Sequence, residues 1–400
     1  MVGDGGRVNR QLLLLTICQG LFFTNNVTFV AVNGLVGLAI APYGWMATLP
    51  LTAYVGGAAL ASQLVARHQR AYGRQRCFRN GLLVAIASAG ICALAAVSRN
   101  FWLLLAGTLV AGYYSANASL YRFAAMELVD ARHKEQAISW VLAGGIMGGV
   151  IGPNLASATR DALPVAFAGA YVALMGVALV SLLLMSRIRF PLLPGGTGAG
   201  RAGRSVRELA RQPTFVVAIA GAALGYGVMN LLMAATPIAM QQCTHPFSAV
   251  ALVLETHVLA MFVPSFFTGH LIRRFGVLRI MSVGVALNLA CVLFALSGQD
   301  VMHFVGALMV LGVGWNFLYI GGTTLFTESY RPEEKTQAQA AMDTTVAATM
   351  ALTSFSSGAL VTTGGWQWMN LGSLVPMAIA ALAIIWLARA RSRAENAPIR

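Results

Sequence analysis

Residues 70–76 read RAYGRQR and residues 273–279 read RRFGVLR, so arginine, aromatic, glycine and arginine recur at an offset of 203. A second echo, KEQA at 134–137 and KTQA at 335–338, recurs at an offset of 201. Two matches at nearly one offset predict an internal duplication, with each half of the chain built on the same structural unit. Both basic stretches are flanked by long apolar runs, and those runs say what the unit is.

Of the 400 residues, 58% are hydrophobic and 10% charged, and the mean hydropathy is +0.71. That balance excludes an ordinary soluble domain and predicts an integral membrane protein. A helix needs roughly 20 largely apolar residues to cross a bilayer. That window gives twelve predicted crossings, at 11–38, 44–66, 78–98, 101–126, 136–158, 163–186, 214–240, 248–271, 278–297, 302–326, 338–361 and 367–389. The first run is too long for a cleaved secretory signal and is interrupted by Gln19, Asn25 and Asn26, so it reads as a retained helix. Unbroken runs of this length do not alternate in short segments as the strands of a β-barrel would. The expected fold is therefore an all-α membrane protein of twelve transmembrane helices in two pseudo-symmetric six-helix bundles.

A net charge of +14 would suggest nucleic acid in a soluble chain, but its distribution argues otherwise. With the twelve crossings assigned, 25 of the 27 Lys and Arg residues fall on one side and only Arg99 and Arg160 on the other. This positive-inside pattern predicts that both termini are cytoplasmic, with the basic face meeting anionic lipid rather than nucleic acid. Between the sixth and seventh crossings, RFPLLPGGTGAGRAGRSVRELARQ (189–212) is rich in Gly, Pro and Arg. It reads as an inner-face linker, giving an N-terminal bundle at 1–186, a linker at 187–213 and a C-terminal bundle at 214–400. Cys18, Cys77, Cys92, Cys243 and Cys291 show no metal-ligand spacing, and no disulfide, metal or cofactor is expected.

On these loops and this duplication the chain resembles the major facilitator superfamily of transporters over essentially its whole length. The resemblance places Gly269, Leu271, Gly276 and Arg279 in the inner-face loop signature of the second half, and makes Gly73, Arg76, Gly276 and Arg279 gating and packing residues. Arg70 and Arg273 stand where that family usually has Asp, which removes the usual carboxylate latch. Gly107 stands ahead of Gly112 where the fourth helix often has Arg. The fifth crossing, GGIMGGVIGPNLA (144–156), is similar to the Gly-Pro pattern of exporters in the superfamily, although Ala156 and Ser157 replace its second glycine pair. Physically, Gly144, Gly148, Gly152 and Ala156 form a side-chain-poor strip on which another helix can pack, and Pro153 frees the carbonyl of Gly149 and favours a bend.

VLETHVLAMFVP (253–264) holds the most expensive groups in the chain. Glu255 lies at intermediate depth, where a carboxylate must face a cavity, find a partner or take up a proton. His257, two residues on, is rotated by about 200° and points elsewhere. Glu255 and His257 are proton-coupling candidates, with a structural hydrogen bond and an ordinary core histidine as the competing readings. Asp343 is a third candidate, and its place in the first turns of its helix also suits a gate or a structural contact. Arg122, near the inner end of the fourth crossing, needs only to snorkel.

Polar and aromatic residues inside the spans are the substrate-cavity candidates: Gln19, Asn26 and Asn33 on the first crossing, Tyr113 and Asn117 with Tyr114 on the fourth, Tyr226 and Asn230 on the seventh, and Trp315, Asn316 and Tyr319 on the tenth. The resemblance adds that these four helices line a central cavity; from the residues alone, each Asn could equally join two helices. An amphipathic, aromatic-rich cavity with few fixed charges suits a planar or moderately hydrophobic organic molecule, such as a drug-like compound, a metabolite or a vitamin, better than an inorganic ion. HVLAMFVPSFFTGHLI (257–272) and GWNFLYIGGTTL (314–325) are similar to a bacterial subgroup some of whose relatives are described as riboflavin transporters.

The expected function is secondary active transport of a small organic solute by alternating access, coupled to protons, by a monomer. The Gly-Pro pattern leans toward efflux. Uptake of a vitamin such as riboflavin, or a transport-dead membrane sensor, are the alternatives. The chain carries no GxxxxGK[ST], HExxH or GxSxG pattern, which argues against ATP-driven pumping and against a membrane enzyme.

Overall fold

A computed structural model describes residues 9–130, 133–191 and 204–395. Among them the regular structure is helical, with no strand. The elements are α1 (Arg10–Ile40), α2 (Leu49–Tyr72), α3 (Arg74–Val97), α4 (Phe101–Ala118), α5 (Tyr121–Ala125), α6 (Lys134–Thr159), α7 (Ala168–Ser186), α8 (Val206–Leu209), α9 (Pro213–Gln242), α10 (Phe247–Phe262), α11 (Ser265–Phe275), α12 (Val277–Ser297), α13 (Val301–Thr327), α14 (Lys335–Thr363) and α15 (Gly365–Glu395).

Each of the twelve predicted crossings is occupied by helix, but the count of strong spans is lower. Ten helices among the described residues are long and apolar enough to cross a membrane, and the pair α10 and α11, bent by 42°, makes an eleventh. The fourth predicted crossing is α4, which has 18 residues and reaches about 27 Å at 1.5 Å per residue before it breaks ahead of α5. Tyr113, Tyr114 and Asn117 dilute its apolar character near that break. Large apolar side chains such as Leu60, Leu94, Trp102, Leu293, Trp368 and Leu382 are exposed, as befits helices whose outer faces meet lipid.

The duplicated loops have the same local geometry. Gly73 ends α2 and begins α3 at φ 78°, ψ 164°, and its N–H donates to the carbonyl of Gln69. Gly276 ends α11 and begins α12 at φ 87°, ψ 148°, and donates to the carbonyl of Ile272. A positive φ is cheap only for glycine, so the repeated glycine marks a repeated hinge-like turn between two helices.

The chain divides into two compact units, Met1–Thr197 with Met240–Val258, and Gly198–Ala239 with Leu259–Arg400. In the first, α1 lies along the small-residue strip of α6. A side chain at Gly148 would run into the backbone of Gly20 and Thr24, and Thr28 Oγ1 donates to the carbonyl of Gly152 at 3.0 Å. Leu15, Phe78, Leu82, Tyr121 and Met185 join α1, α3, α5 and α7 in a buried core. The segment 240–258 belongs to this unit, and α10 touches α6 and its flanking loop at a few points. Phe247 packs edge-on against Phe167 at 4.9 Å beneath the Arg160 guanidinium, and Val258 fills the space that a side chain on Gly149 would need.

In the second unit, Asn316 of α13 braces the break between α10 and α11. Pro264 offers no N–H across the break. The Asn316 amide donates to the Met261 carbonyl at 2.7 Å and to Ser265 Oγ at 2.6 Å, and its oxygen accepts from Thr268 Oγ1 at 2.6 Å. The described end of the linker is anchored too: Arg204 pairs with Glu334 in two side-chain hydrogen bonds of 2.7 Å. Ser205 and Glu208 form a capping box for α8.

The Arg204 guanidinium, helped by the Arg331 backbone N–H, holds the Glu334 carboxyl down at about 2. A carboxyl lowered in this way stabilises the fold above its ordinary pKa, and the contribution is lost only as pH falls toward the folded value. Tryptic cleavage after Arg204, mapped by mass spectrometry and taken relative to an unstructured reference peptide at the same pH, is therefore expected to stay constant between pH 8 and pH 5 in the native chain. In Glu334→Gln it is expected to rise at every pH in that range; equal cleavage in the two proteins would show that the pair does not anchor the linker.

Candidate functional site

Glu255 is half-buried on α10, and the side chain it meets is Asn154 of α6. Asn154 Nδ2 donates to Glu255 Oε2 at 2.8 Å and to the Val150 carbonyl at 2.8 Å, which commits both amide hydrogens. The placement follows from the sequence of α6. Gly149 has no side chain and lets Val258 approach; Glu255 lies nearly one turn from Val258 along α10, beside Asn154, which follows Pro153. The Glu255 carboxylate is thus held by a neutral amide donor.

His257 is fully buried while Glu255 is half-exposed, which is the difference in facing that a two-residue separation on a helix dictates. Asp343 is exposed on α14, eight residues past Lys335. The pairing that the structure makes with Glu255 is therefore the one with Asn154.

The cavity candidates divide by what their polar atoms do. Asn33 is buried and accepts from Tyr171 Oη at 2.6 Å, joining α1 to α7. Asn26 is half-buried and donates to Tyr54 Oη of α2 at 3.2 Å. Asn117 accepts from Cys77 Sγ at 3.1 Å and donates to its own helix at the Tyr113 carbonyl, while Tyr113 Oη is bonded to His68 Nδ1 at 2.8 Å. Asn230 Nδ2 reaches the Met350 carbonyl, Thr353 Oγ1 and Ser354 Oγ of α14. These amides are cross-braces between helices. Gln19 is buried, with its Oε1 meeting no donor among the described residues.

The remaining candidates form one aromatic cluster in the second unit. Trp315 and Tyr319, one turn apart on α13, stack at 5.2 Å and 9°, and Tyr226 of α9 meets both edge-on at 5.3 and 5.4 Å. Phe262 closes the cluster against Trp315 at 6.3 Å. Trp315 is buried, and its indole Nε1 has no acceptor among the described residues. The cluster thus combines aromatic rings with one buried, unmet indole donor. Among the described residues no group of His, Cys, Asp and Glu is arranged to hold a metal.

Sequence reasoning missed Asn154, Phe262 and the Tyr54 and Tyr171 partners. Asn154 stood inside the quoted GGIMGGVIGPNLA stretch, and a polar side chain directly after a mid-helix proline was the available signal.

Residues 12–254 and 217–400 match the Major Facilitator Superfamily. The riboflavin transporter RfnT of Brucella anthropi is 37% identical over 369 residues, covering 92% of this chain and 93% of that one. The uncharacterized MFS-type transporter YdeG of Bacillus subtilis is 26% identical over 396 residues, covering 94% and 91%. Among solved structures, a point mutant of the nucleoside transporter NupG superposes with a TM-score of 0.76 at 13% identity, covering 94% of this chain and 99% of that one. A bacterial homolog of the human lysosomal transporter Spinster, inward-facing and unoccupied, does so with a TM-score of 0.76 at 15% identity, covering 97% and 98%. These are likenesses of fold, and the proteins matched are transporters rather than enzymes.

The two kinds of candidate separate experimentally. Asn316→Leu keeps the volume but strands the Met261 carbonyl and the Ser265 hydroxyl, and is expected to cost about 1–3 kcal/mol in detergent unfolding. Trp315→Phe is expected to leave unfolding nearly unchanged and to weaken solute binding. An Asn316→Leu protein of native stability with lost solute affinity would make Asn316 a ligand group instead of a brace.

Proposed function

Because the chain belongs to the major facilitator superfamily of transporters, we propose that it carries riboflavin or a closely related planar heteroaromatic solute across the bacterial cytoplasmic membrane, driven by protons. The observation that carries the reading is the 37% identity to a riboflavin transporter over 92% of the chain. The cluster of Tyr226, Trp315, Tyr319 and Phe262 supports it, since a flavin ring is flat, apolar on its faces and edged with carbonyls that the Trp315 N–H can meet.

In this reading, a six-helix bundle on each side of the 187–213 linker rocks about the solute, with both termini in the cytoplasm and the protein working as a monomer in its lipid. Glu255 is the proton carrier. Ionised, it accepts from Asn154; protonated, it offers a donor of its own and needs that amide less, so α10 is released from α6. His257 and Asp343 are the alternative carriers. Gly148, Gly152 and Pro153 let the helices slide, and the turns at Gly73 and Gly276, with Arg76 and Arg279 beside them, serve as inner-face gates. The glycine and proline pattern of α6 favours efflux, with protons entering as solute leaves; an importer would use the same groups with protons and solute moving together.

Purified protein in liposomes, with riboflavin inside or outside and an imposed pH gradient, tests the proposal. One charge moved across 100 mV is worth about 2.3 kcal/mol, or an accumulation of about fiftyfold. Glu255→Gln is expected to abolish gradient-driven accumulation while riboflavin exchange persists; driven accumulation at the native level in that variant removes Glu255 from coupling. Trp315→Ala is expected to weaken riboflavin by about 0.5–1.5 kcal/mol, a few-fold to tenfold in KM. The direction of pH change on adding riboflavin separates efflux from uptake, and binding with no flux would mark a sensor.

A further inference from the structure

We propose that a groove between α3 and α7 binds the phosphate headgroup of an anionic phospholipid. The groove encloses about 320 Å³ and is lined by Tyr72, Arg76, Arg79, Asn80, Leu83 and Leu182. It has the layered chemistry of a lipid: donors at one end and hydrocarbon at the other. Arg76, Arg79, Asn80 and Leu83 recur at helical spacing on α3, so they share one face, with Leu182 of α7 opposite. The turn at Gly73 brings Tyr72, the last residue of α2, to the mouth of the same groove. Leu83 lies about 10 Å deeper along the helix than Arg76, at 1.5 Å per residue, and is 53% exposed.

The two arginines are available. Arg74, next to them in sequence, is neutralised by Glu127, whereas Arg76 and Arg79 are exposed and have no carboxylate within ion-pair distance among the described residues. A guanidinium presents a planar fork that matches phosphate oxygens, and two of them one turn apart can hold one phosphate. The Tyr72 hydroxyl and Asn80 amide supply further donors. Basic pockets between membrane helices select acidic headgroups in this way. Free phosphate shares the headgroup chemistry, but the apolar floor of Leu83 and Leu182 favours a phosphate that carries acyl chains.

The duplication supplies an internal control. At the offset of 203 the corresponding residues are Phe275, Arg279, Ser282 and Val283, so the second half keeps one arginine and loses the second arginine and the amide. One lipid per protein is therefore expected.

Native mass spectrometry of the full chain, released from nanodiscs of mixed phosphatidylglycerol and phosphatidylethanolamine, tests this. The native protein is expected to retain one phosphatidylglycerol. The double variant Arg76→Gln, Arg79→Gln is expected to retain it roughly thirtyfold less well, as two headgroup charges at about 1 kcal/mol each imply. Asn80→Glu keeps both arginines but places a carboxylate one turn from Arg76 and next to Arg79, and is expected to release the lipid in a protein that still elutes as a monodisperse species. Arg279→Gln is expected to retain it. Equal retention of the two lipids by the native protein, undiminished retention in the double variant or in Asn80→Glu, or displacement by millimolar inorganic phosphate would each overturn the assignment, the last in favour of a soluble anion.

Discussion

Hydrocarbon offers no hydrogen bonds, and that single constraint shapes where every polar atom of this chain goes. The backbone satisfies itself within helices, which leaves each intramembrane amide and hydroxyl to find a partner on another helix or to face an aqueous path. Asn33 with Tyr171, Asn117 with Cys77, and Asn230 with Thr353 and Ser354 are three solutions of the first kind. Asn316 is a fourth and the most fully committed, because the proline break in its neighbour leaves backbone that would otherwise be stranded. Polar residues in these spans are therefore mostly part of the frame, and function has to be sought where the frame leaves something over.

Helix α6 shows how the same constraint brings helices into close contact. One face, at Gly144, Gly148 and Gly152, is so bare that α1 rests on its backbone; on another, Gly149 admits Val258 and Asn154 meets Glu255. Close packing of this kind relies on dispersion and a few hydrogen bonds rather than on interlocked side chains, so a small change in one hydrogen bond is a large fraction of what holds α10 to α6. Pro153 adds to this by removing one backbone bond from the middle of the helix.

The class, the helix positions and the repeat were legible in the sequence because each rests on a property summed over many residues: apolar run length, the side on which arginines fall, and an echo of loops whose glycine takes a positive φ in both copies. The site was legible only in part. Tyr226, Trp315 and Tyr319 were recognised as aromatic residues inside spans, and the stack they make with Phe262 depends on a break at Val263 and Pro264 that composition does not place in space. The fourth crossing was read as longer than α4 proves to be, since a hydropathy window runs through the break that separates α4 from α5. Asn154 escaped notice because its partner lies 101 residues away, and no local pattern reports a contact between two helices.

Comparing the copies separates frame from function. What recurs is geometry: the glycine turns, and the arginine three residues after each. What differs is chemistry. Glu255 has Thr52 at the offset of 203, and Asn154 has Phe355 at the offset of 201, so the carboxylate and its amide exist once. Trp315 and Tyr319 correspond, at an intermediate offset of 202, to Tyr113 and Asn117, which are already tied to His68 and Cys77. A duplicated scaffold in which one copy binds its polar groups into cross-braces, while the other keeps a stacked aromatic cluster with an unmet donor, offers the proposed transport cycle one solute surface rather than two. In the proposed transport cycle a single carboxylate suffices for coupling, because a second at the related position would put another charge into hydrocarbon with no amide to receive it.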